Sequence, residues 1–380
     1  MVALGLALAV PALGGACSSP GSDTSGATTA RSVTPRLHPD LAPLIFGHRG
    51  AAGYRPENTL ESEETGVRMG ADYIELDLVP TKDHVLVVRH ENEISGTTDV
   101  VTHSEFASRR TTKTVDGVLE SGWFTEDFTL AELKTLRAKE RIPGVRPANT
   151  AYNGRFQVPT FEEVLDLRAK LSTELGRVVG IAPETKHPTY FASIGLPVEP
   201  PMLAALRQAG LDSATAPVLV QSFELSNLLA LRTASGMKAP TVFLLNGRGA
   251  PASTVEGGPS DYKGFTTAAG LAFLKGKVDA IGPEKSLVIP ESGDDAPDPP
   301  SDLVRNAHAD GLLVVPFTFR TENQFLASDY RVGTDPDALG RAEEEQKAFL
   351  AAGVDGLFSD EPDVTARARS TAPAGSASPW

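Results

Sequence analysis

The chain has 380 residues, of which 35 are Lys or Arg and 49 are Asp or Glu, so its formal net charge is −14. This balance argues against a surface that neutralises nucleic-acid phosphates, because such a surface needs a basic patch. Hydrophobic residues make up 41% of the sequence, enough for a sizeable core, and the single cysteine excludes an internal disulfide and a thiolate metal cage.

The first 17 residues differ in composition from the rest. Residues 1–12 are nearly all apolar, and small residues lead from them to Cys17. A short apolar run of this kind is typical of a signal peptide, and Cys17 stands where a bacterial lipoprotein carries its lipid. We therefore predict a signal peptide or lipoprotein signal over residues 1–17 and a protein exported to the cell envelope, with membrane contact only through Cys17.

Three further segments follow from composition. Residues 18–40 are rich in Ser, Thr, Gly, Ala and Pro, which predicts a flexible linker. Residues 41–369 form the predicted folded domain, and residues 370–380 resemble the linker and predict a disordered tail.

Within the folded domain, short apolar strands alternate with helical stretches. The predicted strands are residues 44–47, 73–79, 85–88, 178–181, 218–220, 241–245, 279–282, 311–315 and 354–358. The predicted helices are residues 57–69, 160–175, 200–209 and 338–352. Repeated strand–helix units indicate a parallel sheet that is covered on both faces.

Two architectures fit this alternation, an open doubly wound sheet and a closed (β/α)8 barrel. No G-x-G-x-x-G sequence follows the first strand, which weakens the dinucleotide-binding form of the open sheet. About eight strands over this length favour an α/β fold of the TIM-barrel type. Residues 92–157 lack clear periodicity and are predicted to be an insertion after the second strand.

Polar residues follow several predicted strands at the end where a barrel enzyme carries its chemistry. Glu75 and Asp77 lie two apart on one strand, so both side chains point to the same face, and Glu184 ends another strand. A hard divalent cation, Ca²⁺ or Mg²⁺, would relieve the repulsion among three such carboxylates. The alternative is a salt-bridged pair at the strand end.

His48 and His90 each follow an apolar strand directly. Either one alone could be an ordinary hydrogen-bonded histidine, but a pair beside carboxylates suits general acid–base catalysis. Arg49 and Lys186 add positive charge that can bind phosphate or pair with the acidic cluster. The whole set is consistent with phosphoester hydrolysis.

Several ordered motifs carry a resemblance to a known family. These motifs are residues 48–59 (HRGAAGYRPENT), residues 70–83 (GADYIELDLVPTKD), His90, residues 184–186 (ETK), residues 221–223 (QSF) and residues 355–362 (DGLFSDEP). Over about residues 46–363 the chain resembles the glycerophosphodiester phosphodiesterases. The exported members of that family are the most similar in organisation.

The resemblance implies a TIM barrel with a small insertion and hydrolysis of glycerophosphodiesters to an alcohol and sn-glycerol 3-phosphate. It implies acid–base roles for His48 and His90, and a small-molecule substrate. It also implies metal ligation by Glu75, Asp77 and Glu184, and phosphate contacts by Arg49 and Lys186. The further pocket residues that it suggests are Glu57, Gln221, Phe317 and Phe319.

The sequence departs from the family pattern at two positions. Glu91 follows the second histidine where the family usually has Asp, and Gly96 precedes the paired threonines where an Arg is common. Two other functions remain open at this stage. One is a related barrel phosphodiesterase that acts on intact phospholipids, and the other is a lipoprotein that binds organophosphates without cleaving them.

Overall fold

The structure is a computed structural model that describes residues 42–291 and 298–371. The predicted signal segment with Cys17 and the predicted linker therefore lie outside the described residues. The strands of the described part are β1 (Leu44–His48), β2 (Tyr73–Pro80), β3 (Leu86–Val88), β4 (Thr111–Val115), β5 (Val118–Gly122), β6 (Gly180–Thr185), β7 (Val220–Ser222), β8 (Thr241–Leu245), β9 (Ala280–Pro283), β10 (Leu313–Val314) and β11 (Gly356–Ser359).

Eight of these strands form a nearly closed parallel barrel. Their order is β10-β9-β8-β7-β6-β2-β1-β11, and β3 pairs antiparallel with β2 outside this path. Backbone hydrogen bonds join the two ends of the series, because Asp355 N donates to Val314 O at 2.8 Å and Phe319 N donates to Phe358 O at 2.8 Å. The predicted TIM barrel is confirmed.

Helices connect the strands on the outside of the barrel. They are α1 (Leu60–Arg68), α2 (Leu130–Leu133), α3 (Phe161–Glu174), α4 (Pro188–Ser193), α5 (Glu199–Gln208), α6 (Leu225–Thr233), α7 (Tyr262–Phe265), α8 (Ala268–Leu274), α9 (Lys285–Val288), α10 (Leu303–Ala309), α11 (Ala342–Ala351) and α12 (Pro362–Thr371). Among the described residues, no helix is both long enough and apolar enough to cross a membrane.

Several element boundaries differ from the sequence predictions. Helix α1 begins at Leu60 rather than at residue 57, because Thr59 is extended and caps the helix by accepting a hydrogen bond from Ser62 N. Glu57 and Asn58 consequently lie ahead of the helix, beside the strand ends. Strand β6 continues to Thr185, past the predicted end at residue 181, because a parallel ladder with β2 extends beyond the apolar run.

The C-terminal end of the domain is also longer than predicted. Helix α12 runs to Thr371, so Ser370 and Thr371 are helical and do not belong to a disordered tail. The rest of the predicted tail lies outside the described residues. Helix α11 begins at Ala342 instead of residue 338, since the residues before it form a loop.

Aromatic side chains fill the barrel interior next to the polar groups, and one of them, Phe358, also lines the cavity that these groups share. Phe46 stacks on Phe358 with ring centroids 4.6 Å apart and contacts Tyr73 at 5.0 Å. A Cβ atom at Gly180 would lie 2.4 Å from the Tyr73 ring, so this strand position requires glycine. A second, larger apolar layer packs between the outer face of the strands and the helices.

Residues 92–157 pack beside the barrel, and their apolar side chains join the core cluster of the barrel. Strands β4 and β5 make an antiparallel hairpin, which the sequence analysis did not predict. Phe106, Trp123 and Phe128 make an apolar centre there, and the Trp123 indole donates to Phe106 O at 2.7 Å. None of the barrel strands comes from this segment, as expected of an insertion.

Candidate active site

A tight turn after β1 places the first two polar residues. The backbone N–H of Arg49, which has a positive φ of 55°, donates to Glu75 Oε2 at 2.9 Å. Gly50 also has a positive φ, and a Cβ there would lie 2.3 Å from the backbone carbon of Ser62. Only glycine fits this turn, which holds His48 and Arg49 at the edge of the barrel.

Three carboxylates meet at the carboxyl ends of β2 and β6. Asp77 pairs in register with Glu184 across the parallel ladder, and Glu75 lies two residues earlier on the same face of β2. One carboxylate oxygen from each residue lies within 4.8 Å of the others, and all three residues are buried. The convergence predicted from the sequence is therefore present.

Burial and mutual repulsion act on the three carboxylates together. Burial, with the nearby charges of Asp77 and Glu184, raises the pKa of Glu75 well above its usual value. Burial also raises the pKa of Glu184 to about 7, although Lys186 opposes the change. His90, Arg49 and Lys186 overcome the effect of burial at Asp77 and lower its pKa. Carboxylates held together against their mutual repulsion are a fitting donor set for a divalent cation.

Neutral side chains orient the cluster from both sides. Asn58 donates from Nδ2 to Asp77 Oδ2 at 2.9 Å, and Gln221 donates from Nε2 to Glu75 Oε1 at 3.2 Å. Gln221 is itself anchored by a 2.9 Å hydrogen bond to Ala182 O. These contacts fix the carboxylate planes without neutralising their charge.

His48 is backed by a carboxylate that ends the last barrel strand. Its Nδ1 lies 2.5 Å from Asp360 Oδ1, so Nε2 is the ring nitrogen that can face a substrate. Burial, followed by the charge of Arg49, lowers the pKa of His48. Arg320 and Arg146 more than offset burial at Asp360 and hold its pKa well below the usual value, which keeps it ionised.

His90 has a similar arrangement on the other side of the cluster. Its Nδ1 contacts Glu91 Oε1, and its Nε2 lies 3.2 Å from the ammonium of Lys186. Burial and the charges of Arg49 and Lys186 lower the pKa of His90 to about 4, so this imidazole is neutral at neutral pH. Each predicted histidine therefore stands against its own carboxylate.

One cavity of about 670 Å³ joins these groups. The predicted residues on its wall are His48, Arg49, Glu75, His90, Glu184, Lys186, Gln221 and Phe317. Phe223 and Phe317 meet edge to face at 5.8 Å and make an apolar part of the same wall. The wall thus combines acid–base groups, carboxylates and an apolar surface.

The two predicted phosphate-binding residues already have acidic partners. Arg49 Nη1 donates to Glu57 Oε1 and Oε2 at 3.2 and 3.1 Å, and its Nε lies 3.5 Å from Asp77. Lys186 Nζ lies 2.9 Å from Glu184 Oε1. Pairing of this kind fixes both cations beside the cavity and leaves phosphate binding open to them, as the sequence analysis had allowed.

Two of the predicted pocket residues do not line the cavity. Phe319 is fully buried and packs edge-on against Phe349, with ring centroids 4.8 Å apart, so its prediction as a pocket residue is wrong. Both residues lie past the end of β10, where Phe317 makes an isolated bridge with Glu284 and Phe319 makes one with Ser359, so they are not successive same-face residues of one regular strand. Glu57 lies behind the cavity wall because Arg49 and Arg141 hold its carboxylate.

Two further residues of the site, Asp360 and Arg320, were not predicted from the sequence. Asp360 follows the last barrel strand, so the sequence shows it as a polar strand end. Its pairing with His48 could not be predicted, because closure of the barrel brings the first and last strands together. Arg320 lines the cavity and donates from Nε to Asp360 Oδ2 at 3.0 Å. It lies in an irregular segment after β10, where no sequence pattern singled it out.

Comparisons with known proteins show the family to which the chain is similar. A model of the glycerophosphoryl diester phosphodiesterase family matches residues 48–364. A glycerophosphodiester phosphodiesterase of Arabidopsis thaliana is 34% identical over 330 residues, which are 84% of this chain and 83% of that protein. One of Bacillus subtilis is 28% identical over 333 residues, 86% of each chain.

A solved structure supports the fold. The phosphodiesterase of Oleispira antarctica, in complex with the product sn-glycerol-3-phosphate, superposes with a TM-score of 0.56 at 18% identity. The superposition covers 87% of this chain and 98% of that one.

The fold and the site define a barrel phosphoric diester hydrolase. The chain belongs to the glycerophosphoryl diester phosphodiesterase family. Its activity is accordingly that of a glycerophosphodiester phosphodiesterase acting on a small-molecule substrate, which removes the alternative of a binding lipoprotein without catalysis.

Proposed function

We propose that this enzyme hydrolyses glycerophosphodiesters to an alcohol and sn-glycerol 3-phosphate by histidine acid–base catalysis with one divalent cation. The observation that carries the proposal is a cavity whose wall holds two carboxylate-backed histidines together with Glu75 and Glu184, and Asp77 converges with these two carboxylates. The Oleispira antarctica relative, in complex with sn-glycerol-3-phosphate, supports the choice of product.

His48 and His90 divide the proton transfers between them. One imidazole takes a proton from the attacking oxygen, and the other gives a proton to the oxygen of the departing alcohol. The attacking oxygen belongs to water, or to a glycerol hydroxyl that forms a cyclic phosphate which water then opens. Both have a lowered pKa in the free protein, so a bound phosphate, which is anionic, would raise the pKa of the histidine that must donate. Asp360 and Glu91 orient the rings through Nδ1.

Glu75, Asp77 and Glu184 would hold the cation, which is Ca²⁺ or Mg²⁺ because all three donors are oxygens. When bound, the ion would offset charge on the phosphate oxygens. Arg49 and Lys186 border the same cluster and would contact the phosphate from the protein side. Gln221 would keep the carboxylate of Glu75 oriented toward the cation through its hydrogen bond to Oε1.

Two variants and one chelation experiment test this proposal. We expect His48→Ala and His90→Ala each to lower glycerol 3-phosphate release by about 100-fold or more while the circular dichroism spectrum stays that of the parent. Excess EDTA should abolish activity, and Ca²⁺ or Mg²⁺ should restore it. Full activity in both histidine variants would refute the acid–base roles, and full activity after thorough chelation would refute the metal.

We also propose that the protein is exported and carries a lipid on Cys17. The support is the apolar run of residues 1–12 followed by small residues and this single cysteine. In a bacterial host, the parent should fractionate with membranes and incorporate labelled fatty acid, whereas Cys17→Ser should do neither. Equal labelling of the two proteins would contradict lipidation.

A further inference from the structure

A loop of the insertion brings an arginine to the carboxylate behind His90. Arg141 donates from Nη1 to Glu91 Oε1 at 2.8 Å and from Nη2 to Glu91 Oε2 at 2.5 Å, so it grips both oxygens. It also donates from Nε to Glu57 Oε2 at 2.7 Å. Since Glu57 in turn accepts from Arg49, Arg141 lies in a continuous network between the insertion and the cavity wall.

The same loop brings a second arginine to the carboxylate behind His48. Arg146 donates from Nη2 to Asp360 Oδ2 at 2.8 Å, opposite the oxygen that contacts His48. Its Nε donates to Glu322 Oε1 at 2.6 Å, and its Nη1 donates to Ala52 O at 2.9 Å. Arg146 is nearly fully buried, so its guanidinium is held on every side.

Residues 141–146 therefore hold both histidine–carboxylate pairs from one short piece of chain. Backbone hydrogen bonds close this loop, with Val145 N and Arg146 N both donating to Ile142 O at 2.9 Å. A guanidinium is a planar fork that fixes the plane of a carboxylate, which a lysine ammonium cannot do. A fixed carboxylate plane in turn fixes the tilt of the imidazole that it contacts.

We propose that the loop 141–146 is a positioning element of the catalytic site, in which Arg141 orients His90 through Glu91 and Arg146 orients His48 through Asp360. The proposal rests on the acid–base roles proposed above. Neither arginine is among the residues that line the cavity, so both act through their carboxylates without touching the substrate.

The insertion offers a matched control. Arg109 donates from Nη1 to Glu132 Oε2 at 2.9 Å and from Nη2 to Glu132 Oε1 at 2.5 Å, which is the same forked pairing. Neither residue lines the cavity, and Glu132 caps helix α2 rather than contacting a histidine. Arg109→Lys thus removes a bidentate arginine–carboxylate pair from the same insertion and leaves both histidine–carboxylate pairs unchanged.

The first experiment compares kcat and KM in three lysine variants, each of which retains the positive charge. Arg141→Lys and Arg146→Lys should lower kcat by about 10- to 100-fold, the range known for partners that orient metal-bound histidines, with KM within about threefold of the parent. Arg109→Lys should keep the parent kcat. Thermal melting should show all three variants folded at the assay temperature.

The second experiment asks whether Arg146 acts through the carboxylate of Asp360. In a double-mutant cycle, Arg146→Lys should add little to the loss caused by Asp360→Asn, because both changes break the same pair. Combined with Glu91→Gln, Arg146→Lys should multiply the two losses, because the changes affect different histidines. If the Arg146→Lys protein is unstable, Arg146→Gly is assayed in its place with guanidinium added at a non-denaturing concentration. We expect the added guanidinium to restore kcat.

The outcomes separate this proposal from the one on which it rests. Fully active His48→Ala and His90→Ala variants would remove the acid–base roles and the positioning element together. Inactive histidine variants with parent kcat in Arg141→Lys and Arg146→Lys would refute the positioning element alone. Independent losses from Arg146→Lys and Asp360→Asn, or no rescue by guanidinium, would refute it as well.

Discussion

Two buried acidic clusters in this protein have opposite characters. In the insertion, Glu126 accepts hydrogen bonds from Lys113 Nζ at 3.0 Å, from Tyr190 Oη at 2.6 Å and from Asn92 Nδ2 at 3.2 Å. At the barrel mouth, three carboxylates face one another, and burial raises the pKa of Glu75 and of Glu184. A carboxylate surrounded by donors stabilises the fold, whereas carboxylates left in mutual repulsion suit a cation that arrives from outside.

Removal of one carboxylate from the barrel cluster should have the largest effect on activity. Asp77→Asn keeps the hydrogen-bonding shape and removes the charge that faces the cation and Lys186. We expect glycerol 3-phosphate release to fall by about 100-fold or more at saturating Ca²⁺ or Mg²⁺. The reason is that loss of a residue that only orients a metal ligand already costs up to about 100-fold in activity. Parent activity in this variant would contradict a metal site at the cluster.

The corresponding change in the insertion should affect stability instead. Glu126→Gln leaves the donors of Lys113, Asn92 and Tyr190 with one acceptor oxygen, and Asp127, 2.8 Å from Lys113 Nζ, becomes the remaining countercharge of that lysine. We expect the free energy of unfolding in urea to fall by about 2 kcal/mol, with kcat and KM unchanged. A large loss of kcat in a folded Glu126→Gln protein would show that the two clusters do not differ in role.

Cation binding should depend on pH through the barrel cluster. Because the pKa of Glu184 is raised to about 7 and that of Glu75 is raised well above its usual value, the metal-free cluster binds protons near neutrality. A cation must displace them, so its affinity should rise with pH by up to about tenfold per unit for each proton released. Calorimetric titrations in buffers of different ionisation enthalpy would measure this release, and a buffer-independent enthalpy would contradict it.

The smallest expected effect is a gain in stability. The raised pKa of Glu75 means that the folded parent loses stability as pH rises above the ordinary carboxyl pKa, because the unfolded chain ionises there more easily. Glu75→Gln removes this loss. We expect the metal-free variant to be more stable than the parent by about 1 kcal/mol at pH 8 and nearly equal at pH 4. Urea unfolding at the two pH values, with EDTA present, would show whether the difference appears only at the higher pH.

Sequence reasoning located the parts of the site that lie on strands. Alternation and apolar runs placed Glu75, Asp77, His48 and His90 at strand ends, and parallel strands bring such ends together by geometry alone. The predicted end of β6 at residue 181 was too early. The strand continues to Thr185, and its last residues are polar, so they interrupt the apolar pattern from which the end was predicted.

The parts that depend on irregular chain could not be predicted in the same way. Arg141 and Arg146 lie in a segment without periodicity, and their partners are distant in sequence, as the pairing of Arg146 with Asp360 shows. Phe319 was misplaced for a related reason, since it and Phe317 lie past the end of β10, where no regular strand determines which of the two side chains enters the cavity.

The most direct test is a crystal structure of the His90→Ala protein soaked with Ca²⁺ and glycerophosphocholine. We expect one ion with Glu75, Asp77 and Glu184 among its ligands, and the uncleaved phosphate between that ion and Nε2 of His48. An ion bound elsewhere, or a phosphate beyond hydrogen-bonding reach of His48, would contradict the proposed centre.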